Sequence, residues 1–260
     1  MPHAIAIDWS GDAKGAAQKI WIAEAEDCEL LLLEGGRDRT EVVEWLCSRR
    51  DGAPVVAGVD FAFSFPAWFL DEHGCRTVDE AWRLAAEDGE AWLRDCPPPF
   101  WGKPERKRGP EQQLRACEEG WRVGGIAPKS VFQIGGAGAV GTGSLRGMPH
   151  LPELRDAGWA IWPFERAGTH AVAEIWPRLL TGPIAKSSKA SREAWLDRHA
   201  ALHPVLRERA AGSEDAFDAA ASAIVLSRSA ALDAALAAPP PGDPREGAML
   251  VPADAPGAAG

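Results

Sequence analysis

The order of elements in the first sixty residues restricts the fold of this chain more than any other feature. Three strand-like runs are followed by a helical stripe and then by a further apolar strand, and in chain order they occupy residues 3–9, 19–25, 28–34, 40–50 and 55–61. Turn-sized gaps between the first three runs predict an antiparallel meander. The order strand, strand, strand, helix, strand predicts an α/β fold, with one aspartate ending the first strand and another ending the fourth.

The rest of the chain predicts further helices and strands around an irregular insertion. A helix is expected at 76–95, strands at 159–164 and 170–176, and helices near 191–202 and at 213–237. Residues 97–152 are rich in proline and glycine and are expected to form the insertion. We therefore expect one domain over 1–237 and a disordered tail over 238–260.

Composition limits the class of protein. The 28 lysines and arginines against 38 aspartates and glutamates give a formal charge of −10, which argues against a surface that coats phosphates generally. The five cysteines include no CxxC pair, which favours reduced thiols and a cytoplasmic protein. The sequence shows neither a signal peptide nor an apolar run of membrane-spanning length, so no membrane partner is expected.

Five acidic residues stand at positions that the fold could bring together. Asp8 and Asp60 end apolar strands, Glu174 lies in the strand at 170–176, and Asp215 and Asp218 share one face at the start of a helix. One aspartate at a strand end is more often a turn or cap acceptor, and Asp215 could simply favour a helix N-terminus. The combination weakens that reading, because acidic residues within apolar strands are costly unless they are paired or bound to metal.

Converging carboxylates predict a hard divalent cation, Mg²⁺ or Mn²⁺, with Asp8, Asp60, Glu174 and Asp218 as its ligands. Two such ions clamp the attacking and leaving oxygens of an in-line phosphoryl displacement. All five acidic residues are therefore candidate catalytic residues of a hydrolase that cuts phosphodiester bonds, and the expected partner is nucleic acid.

Four segments carry a family resemblance. The motifs IAIDWSG, VVAGVDFAFSFP, AEIWPRLLTG and SEDAFDAAASAIVL resemble those of the predicted RNase H-like nuclease family, domain of unknown function 429 (DUF429), and PKSVFQIGGAGAVGTGSLRGMP is also similar to that family. The resemblance extends from the first strand to about residue 230. It implies a ribonuclease H-like core, with a mixed five-stranded sheet of three antiparallel strands and then parallel strands, flanked by helices.

The resemblance also implies roles for the acidic residues. Asp8 would be the metal ligand of the first strand, shared between both ions, and Asp60 the ligand of the fourth strand. Asp215 and Asp218 would form the DxxD pair that the Holliday-junction resolvase branch of the superfamily has on its C-terminal helix. Glu174 would be a further ligand or would support one.

Three other functions remain open: ATP-dependent phosphotransfer, dinucleotide binding, and binding without catalysis. The loop DWSGDAKG is also typical of the actin-like and sugar-kinase branch, in which Asp12 or Lys14 would approach ATP phosphates. Residues 136–141 (GAGAVG) satisfy GxGxxG, but the following glycines and prolines argue against the helix that dinucleotide binding requires. The third possibility is a module that binds metal or nucleic acid on the same fold.

Several other side chains are candidates for substrate binding. Arg106 and Lys107 lie in the densest basic stretch, beside Trp101, and could steer a nucleic-acid backbone. Lys186 and Lys189 could face phosphates, and Trp9 could line the site because it follows Asp8. A solvated loop explains the basic stretch as well, and core packing explains most of the tryptophans.

Overall fold

The computed structural model describes residues 3–49 and 54–258 and shows an α/β protein built on one mixed sheet. The six strands are β1 (His3–Asp8), β2 (Trp21–Glu26), β3 (Glu29–Gly35), β4 (Val55–Val59), β5 (Ala160–Trp162) and β6 (His170–Glu174). Their spatial order is β3-β2-β1-β4-β6-β5. The first three strands pair antiparallel, and the pairs β1–β4, β4–β6 and β6–β5 are parallel. The sheet thus has six strands rather than the expected five.

Helices cover both faces of the sheet. They are α1 (Arg39–Ser48), α2 (Ala67–Glu72), α3 (Val78–Asp95), α4 (Val140–Gly147), α5 (Leu151–Asp156), α6 (Pro177–Thr181), α7 (Lys189–His199), α8 (Pro204–Gly212), α9 (Glu214–Arg228) and α10 (Leu232–Ala237). Helices α1 and α3 begin with capping boxes, formed by Asp38 with Glu41 and by Thr77 with Glu80. No helix in the described ranges is long and apolar enough to cross a membrane.

Side chains alternate along each strand and divide the core into two layers. Ile5 and Ile7 of β1 pack with Val172 of β6 in the layer that contains α1 and α3. Ala4 and Ala6 of β1 point the other way and pack against α9. Small residues on this second face let the helix lie close to the sheet. At Gly58 of the central strand, an added Cβ would lie only 2.7 Å from Ile175 and 3.1 Å from Leu226 of α9.

The expected disordered tail is instead packed on the core. Met249 pairs with Glu174 in a parallel bridge, and the amide of Leu250 donates to the carbonyl of Glu174 at 2.7 Å. Leu250 is fully buried. The buried carboxylate of Glu246 accepts from the amides of Ala67 and Ala116, each at 2.6 Å, which ties residues 244–250 to α2 and to the insertion. Low complexity in this segment did not prevent order, because a few apolar side chains found a place beside β6.

Candidate active site

The sheet places Asp8 and Asp60 side by side. Strands β1 and β4 are parallel, Ile7 pairs with Val59, and the amide of Asp60 donates to the carbonyl of Ile7 at 3.0 Å. Each aspartate is the residue directly after that pair, so both lie at the carboxyl end of adjacent strands. Asp8 lies two residues after Ala6 and Asp60 two residues after Gly58, so both lie on the sheet face that packs against α9. Both aspartates are partly buried.

Helix α9 carries two further aspartates to the same edge. Ser213 caps this helix by accepting from the amide of Ala216 at 3.0 Å, which fixes the first turn. Asp215 lies in that turn and Asp218 lies three residues later, so both share the helix face at its N-terminal end. The predicted DxxD pair is therefore on a helix that packs across β1 and β2.

These carboxyl groups influence one another's pKa, as expected of neighbours at one edge of the sheet. Burial raises the pKa of Asp8 well above its usual value, and the charges of Asp218, Asp60 and Asp215 raise it further. Burial and the charge of Asp218 raise the pKa of Asp60 to about 8. Burial also raises the pKa of Asp218 and of Asp215. Without a bound cation, the site resists full ionisation.

Lys186 is the cation that partly offsets this charge. Its Nζ donates to Oδ2 of Asp218 at 2.8 Å and lies 2.6 Å from Oδ1. The lysine is 8% exposed, and its backbone carbonyl accepts a hydrogen bond from the buried Arg192. Its ammonium lowers the pKa of Asp218 and of Asp60. Lys186 was predicted to bind substrate, but the structure places it first as the partner of Asp218.

Glu174 lies near this group but does not face it. In β6, Glu174 lies two residues after Val172, so the strand alternation puts both on the face opposite to α9. In the strand register, Glu174 pairs with Val59 rather than with Asp60. One carboxylate oxygen accepts from the amide of Phe63 at 2.9 Å and from Arg115 at 2.8 Å, and the other also accepts from Arg115. Glu174 thus lines the same small cavity as Asp60, and its charge contributes to the raised pKa of Asp60, but its carboxylate is held by Arg115 and is not free as a ligand.

Arg115, in the insertion, is a site-adjacent residue that sequence reasoning missed. It is fully buried and also donates to Glu118, from Nη2 at 2.6 Å and from Nε at 3.1 Å. A third partner is the carbonyl of Glu246 at 3.1 Å. The spacing of Arg115 and Glu118 was a local signal for an ion pair, but nothing local indicated that Glu174 would complete it.

The loop after β1 is held by contacts that leave no phosphate cradle around Asp12. The carboxylate of Asp12 accepts from the amides of Lys14 and Gly15 at 2.9 and 2.8 Å and pairs with Lys19 at 2.6 Å. Lys14 has an exposed side chain. Trp9 is 9% exposed and packs on Phe61 with the ring centroids 5.2 Å apart, so it belongs to the core layer opposite Asp8.

Helix α4 forms where the sequence argued against a helix. It covers Val140–Gly147 despite its three glycines. Two of them allow close packing, because a Cβ at Gly147 would lie 2.7 Å from the ring of Phe61 and one at Gly141 would collide with the carbonyl of Val131. The preceding segment forms only an isolated bridge between Trp101 and Gln133, so the strand that a dinucleotide-binding unit needs does not precede this helix.

The remaining predicted substrate-binding residues lie on the surface. Arg106, Lys107 and Lys189 are exposed, and Lys189 is the first residue of α7. The structure does not bring these three into contact with the aspartates.

The donor set suits a hard cation, although it is not a closed metal cage. Over residues 3–49 and 54–258, no three side chains of His, Cys, Asp or Glu are close enough together to hold a metal ion. The oxygens of Asp8 and Asp60 accept no hydrogen bond within the same ranges and are free to act as ligands.

Comparisons with models of protein families, with curated proteins and with solved structures found no match for this chain.

Proposed function

We propose that this chain is a metal-dependent nuclease with a ribonuclease H-like core. The observation that carries the proposal is the convergence of Asp8 and Asp60, on adjacent parallel strands, with Asp218 of α9. The antiparallel meander followed by α1 and the parallel β4 supports the assignment of the core. The sequence motifs that resemble the DUF429 family contain all three aspartates, which agrees with this assignment.

Charge explains why this group would bind a cation. Four aspartates share one edge of the sheet, and Lys186 neutralises only part of their charge. Burial first, and the neighbouring carboxylates second, raise the pKa values of Asp8 and Asp60, and a divalent cation would relieve the repulsion between the carboxylates. Mg²⁺ or Mn²⁺ fits, because all the donors are oxygens. When bound, such an ion supplies Lewis acidity and lowers the pKa of water at the phosphodiester.

The residues of the chain would divide the remaining work. Asp8 and Asp60 present unpaired carboxylate oxygens from a rigid sheet, which fixes the position of any ligand they hold. Lys186 orients Asp218 through its hydrogen bond and opposes the rise in the pKa of Asp218 that burial causes. Asp215, which is half-buried beside it, is placed to accept a proton from water.

The decisive experiment is a cleavage assay with a matched control. Labelled single-stranded DNA, duplex DNA, RNA, an RNA–DNA hybrid and a branched junction are incubated with the purified chain in Mg²⁺, in Mn²⁺ or in EDTA. We expect metal-dependent cleavage of at least one substrate, abolished by Asp8→Asn and by Asp60→Asn. Asp12→Asn serves as the control, because Asp12 lies in the adjoining loop but pairs with Lys19.

Two outcomes would count against the proposal. One is the absence of cleavage of every substrate with both metals, and the other is cleavage that survives Asp8→Asn. Turnover of ATP without cleavage of nucleic acid would instead support the kinase-like alternative. Binding of metal at Asp8 without any turnover would support a binding module.

A further inference from the structure

The insertion contains a cavity of about 550 Å³ that the aspartate cluster does not use. Residues that line it include Trp101, Arg108, Gln113, Arg122, Ile126 and Lys129, and we call it the basic cavity. Its volume is in the range of sites that hold a small molecule or one unit of a polymer.

The basic cavity is positive in a protein that is negative overall. Arg108, Arg122 and Lys129 are exposed, and no acidic residue lines the cavity. Within the described chain none of these three cations has an ion-pair or hydrogen-bond partner for its side chain. Three unpaired cations around one hollow, in a chain of net charge −10, favour an anionic ligand.

One aromatic side chain, Trp101, lines the basic cavity together with these cations and forms its aromatic wall, which is held by hydrogen bonds. The Nε1 of Trp101 donates to Oε1 of Gln113 at 2.8 Å, and Gln113 is only 2% exposed. The backbone of Trp101 bonds to Phe132 and Ile134, at 3.0 and 2.9 Å. The indole is half-buried, and Ile126 opposite is 42% exposed. A fixed aromatic side chain among cations is the arrangement with which proteins bind the bases and phosphates of a single strand.

The basic cavity also adjoins the candidate active site. Lys129 and its neighbour Pro128 line both this cavity and a second one of about 50 Å³. Asp60 lies in the wall of the smaller cavity, together with Trp176. A chain molecule seated in the basic cavity would therefore pass Lys129 on its way to the carboxylates.

We propose that the basic cavity binds a single-stranded segment of nucleic acid, with a base against Trp101 and phosphates against Arg108, Arg122 and Lys129. This inference rests on the proposed nuclease function and names the form of its substrate. Lys129 lines both the basic cavity and the smaller cavity that contains Asp60, so a ligand that reaches the carboxylates would extend through both, which fits a strand better than a free mononucleotide.

Binding is measured separately from cleavage, so that the two proposals can fail independently. Fluorescence anisotropy in EDTA follows a labelled single-stranded oligonucleotide of about 12 nucleotides, a length within the usual site sizes. We expect Arg122→Gln and Lys129→Gln each to weaken binding several-fold and to lower the log–log salt slope by about 0.7. Arg83→Gln is the control, because Arg83 is an exposed cation of α3 that does not line the cavity.

The aromatic wall has its own test. Trp101→Leu should weaken binding of the normal oligonucleotide at least about fivefold and leave binding of an abasic oligonucleotide of the same length unchanged. Thermal unfolding of each variant verifies that the fold is kept.

Three results would overturn the inference. The first is equal loss of affinity in Arg83→Gln and in the cavity variants, which would mean general electrostatic attraction. The second is equal competition by a mononucleotide and by the oligonucleotide, which would indicate a site for free nucleotides. The third is no loss in any cavity variant. Binding that follows the expected pattern without any cleavage would leave this inference standing and refute only the nuclease.

Discussion

Replacement of Glu174 by glutamine separates two roles that this residue could have. If Glu174 were a metal ligand, Glu174→Gln would lower the metal affinity of the chain and leave its stability unchanged. The structure predicts the opposite result, with lower stability and unchanged metal affinity. Both oxygens of Glu174 accept hydrogen bonds from Arg115, and one also accepts from the amide of Phe63. Glutamine keeps an acceptor for Phe63 but loses the charge and turns an amide donor toward a guanidinium.

The magnitude follows from burial. The side chains of Arg115 and Glu174 are 0% and 4% exposed, so the pair is not screened by water. Removal of one member of a buried pair costs about 3–5 kcal/mol. We expect about 3 kcal/mol for Glu174→Gln, at the lower end, because Arg115 keeps Glu118. At roughly 2–4 °C per kcal/mol, the melting temperature should fall by about 6–12 °C.

Arg115→Met should be worse, because it leaves Glu118 and Glu174 buried together without a cation. The triple variant Arg115→Met, Glu118→Gln, Glu174→Gln should recover part of the loss, since uncharged groups replace the whole network. The assays are urea unfolding and isothermal titration of Mg²⁺, with Asp60→Asn as the control for lost metal affinity. The reasoning is refuted if Glu174→Gln unfolds like the wild type and fails to bind Mg²⁺.

Three other predictions follow from the described contacts. Burial and the neighbouring charges raise the pKa of Asp60 from its ordinary 3.8 to about 8 in the folded chain. Between these two pH values the unfolded chain has lost the proton of Asp60 and the folded chain still holds it. In EDTA the free energy of unfolding should therefore fall as pH rises from about 4 to 8, and the slope should be smaller in Asp60→Asn; urea titrations at several pH values test this. The affinity for Mg²⁺ should rise over the same pH range, which calorimetry tests. Gly58→Ala should destabilise the chain by about 1–3 kcal/mol in urea, because its Cβ would lie 2.7 Å from Ile175 and 3.1 Å from Leu226 of α9. Unchanged stability would mean that these two side chains can move away. Burial raises the pKa of the Cys117 thiol to about 12, so a disulfide reagent at pH 8 should leave this thiol unmodified in the folded protein and react with it only after unfolding, as peptide mass mapping would show.

The periodic parts of the fold were predictable from local sequence. Alternation in residues 3–9 and 55–61 correctly indicated β1 and β4, and the apolar stripe of residues 40–50 matches the buried face of α1. Short helices such as α2, α6 and α8 were missed, because five to nine residues contain too little periodicity to identify a helix. The order of residues 238–258 was missed as well, since it depends on an anchor at Glu246 that meets partners more than 100 residues away.

The acidic site illustrates the same limit at the level of single residues. Asp8 and Asp60 could be predicted, because two parallel strands that end on aspartate place both at one edge. The alternation of Val172 and Glu174 also predicts that they share a face, but only the position of α9 shows which face carries the site. Arg115 had no such signal, because it lies outside any helix or strand and its partner Glu174 lies 59 residues away in the chain.

Two groups of buried acids at this end of the sheet differ in how far they are neutralised, and this contrast bears on function. In the first group, Glu118 and Glu174 share the guanidinium of Arg115. The second group consists of Asp8, Asp60, Asp215 and Asp218. Within the described residues it has one ion pair, between Asp218 and Lys186, and it retains an excess of negative charge. If the buried acidic residues served only to hold the insertion in place, burial of the second group would destabilise the fold without a compensating contact. Four aspartates that keep an excess of negative charge next to the basic cavity suit the proposed site, in which a cation and a phosphate would bind side by side.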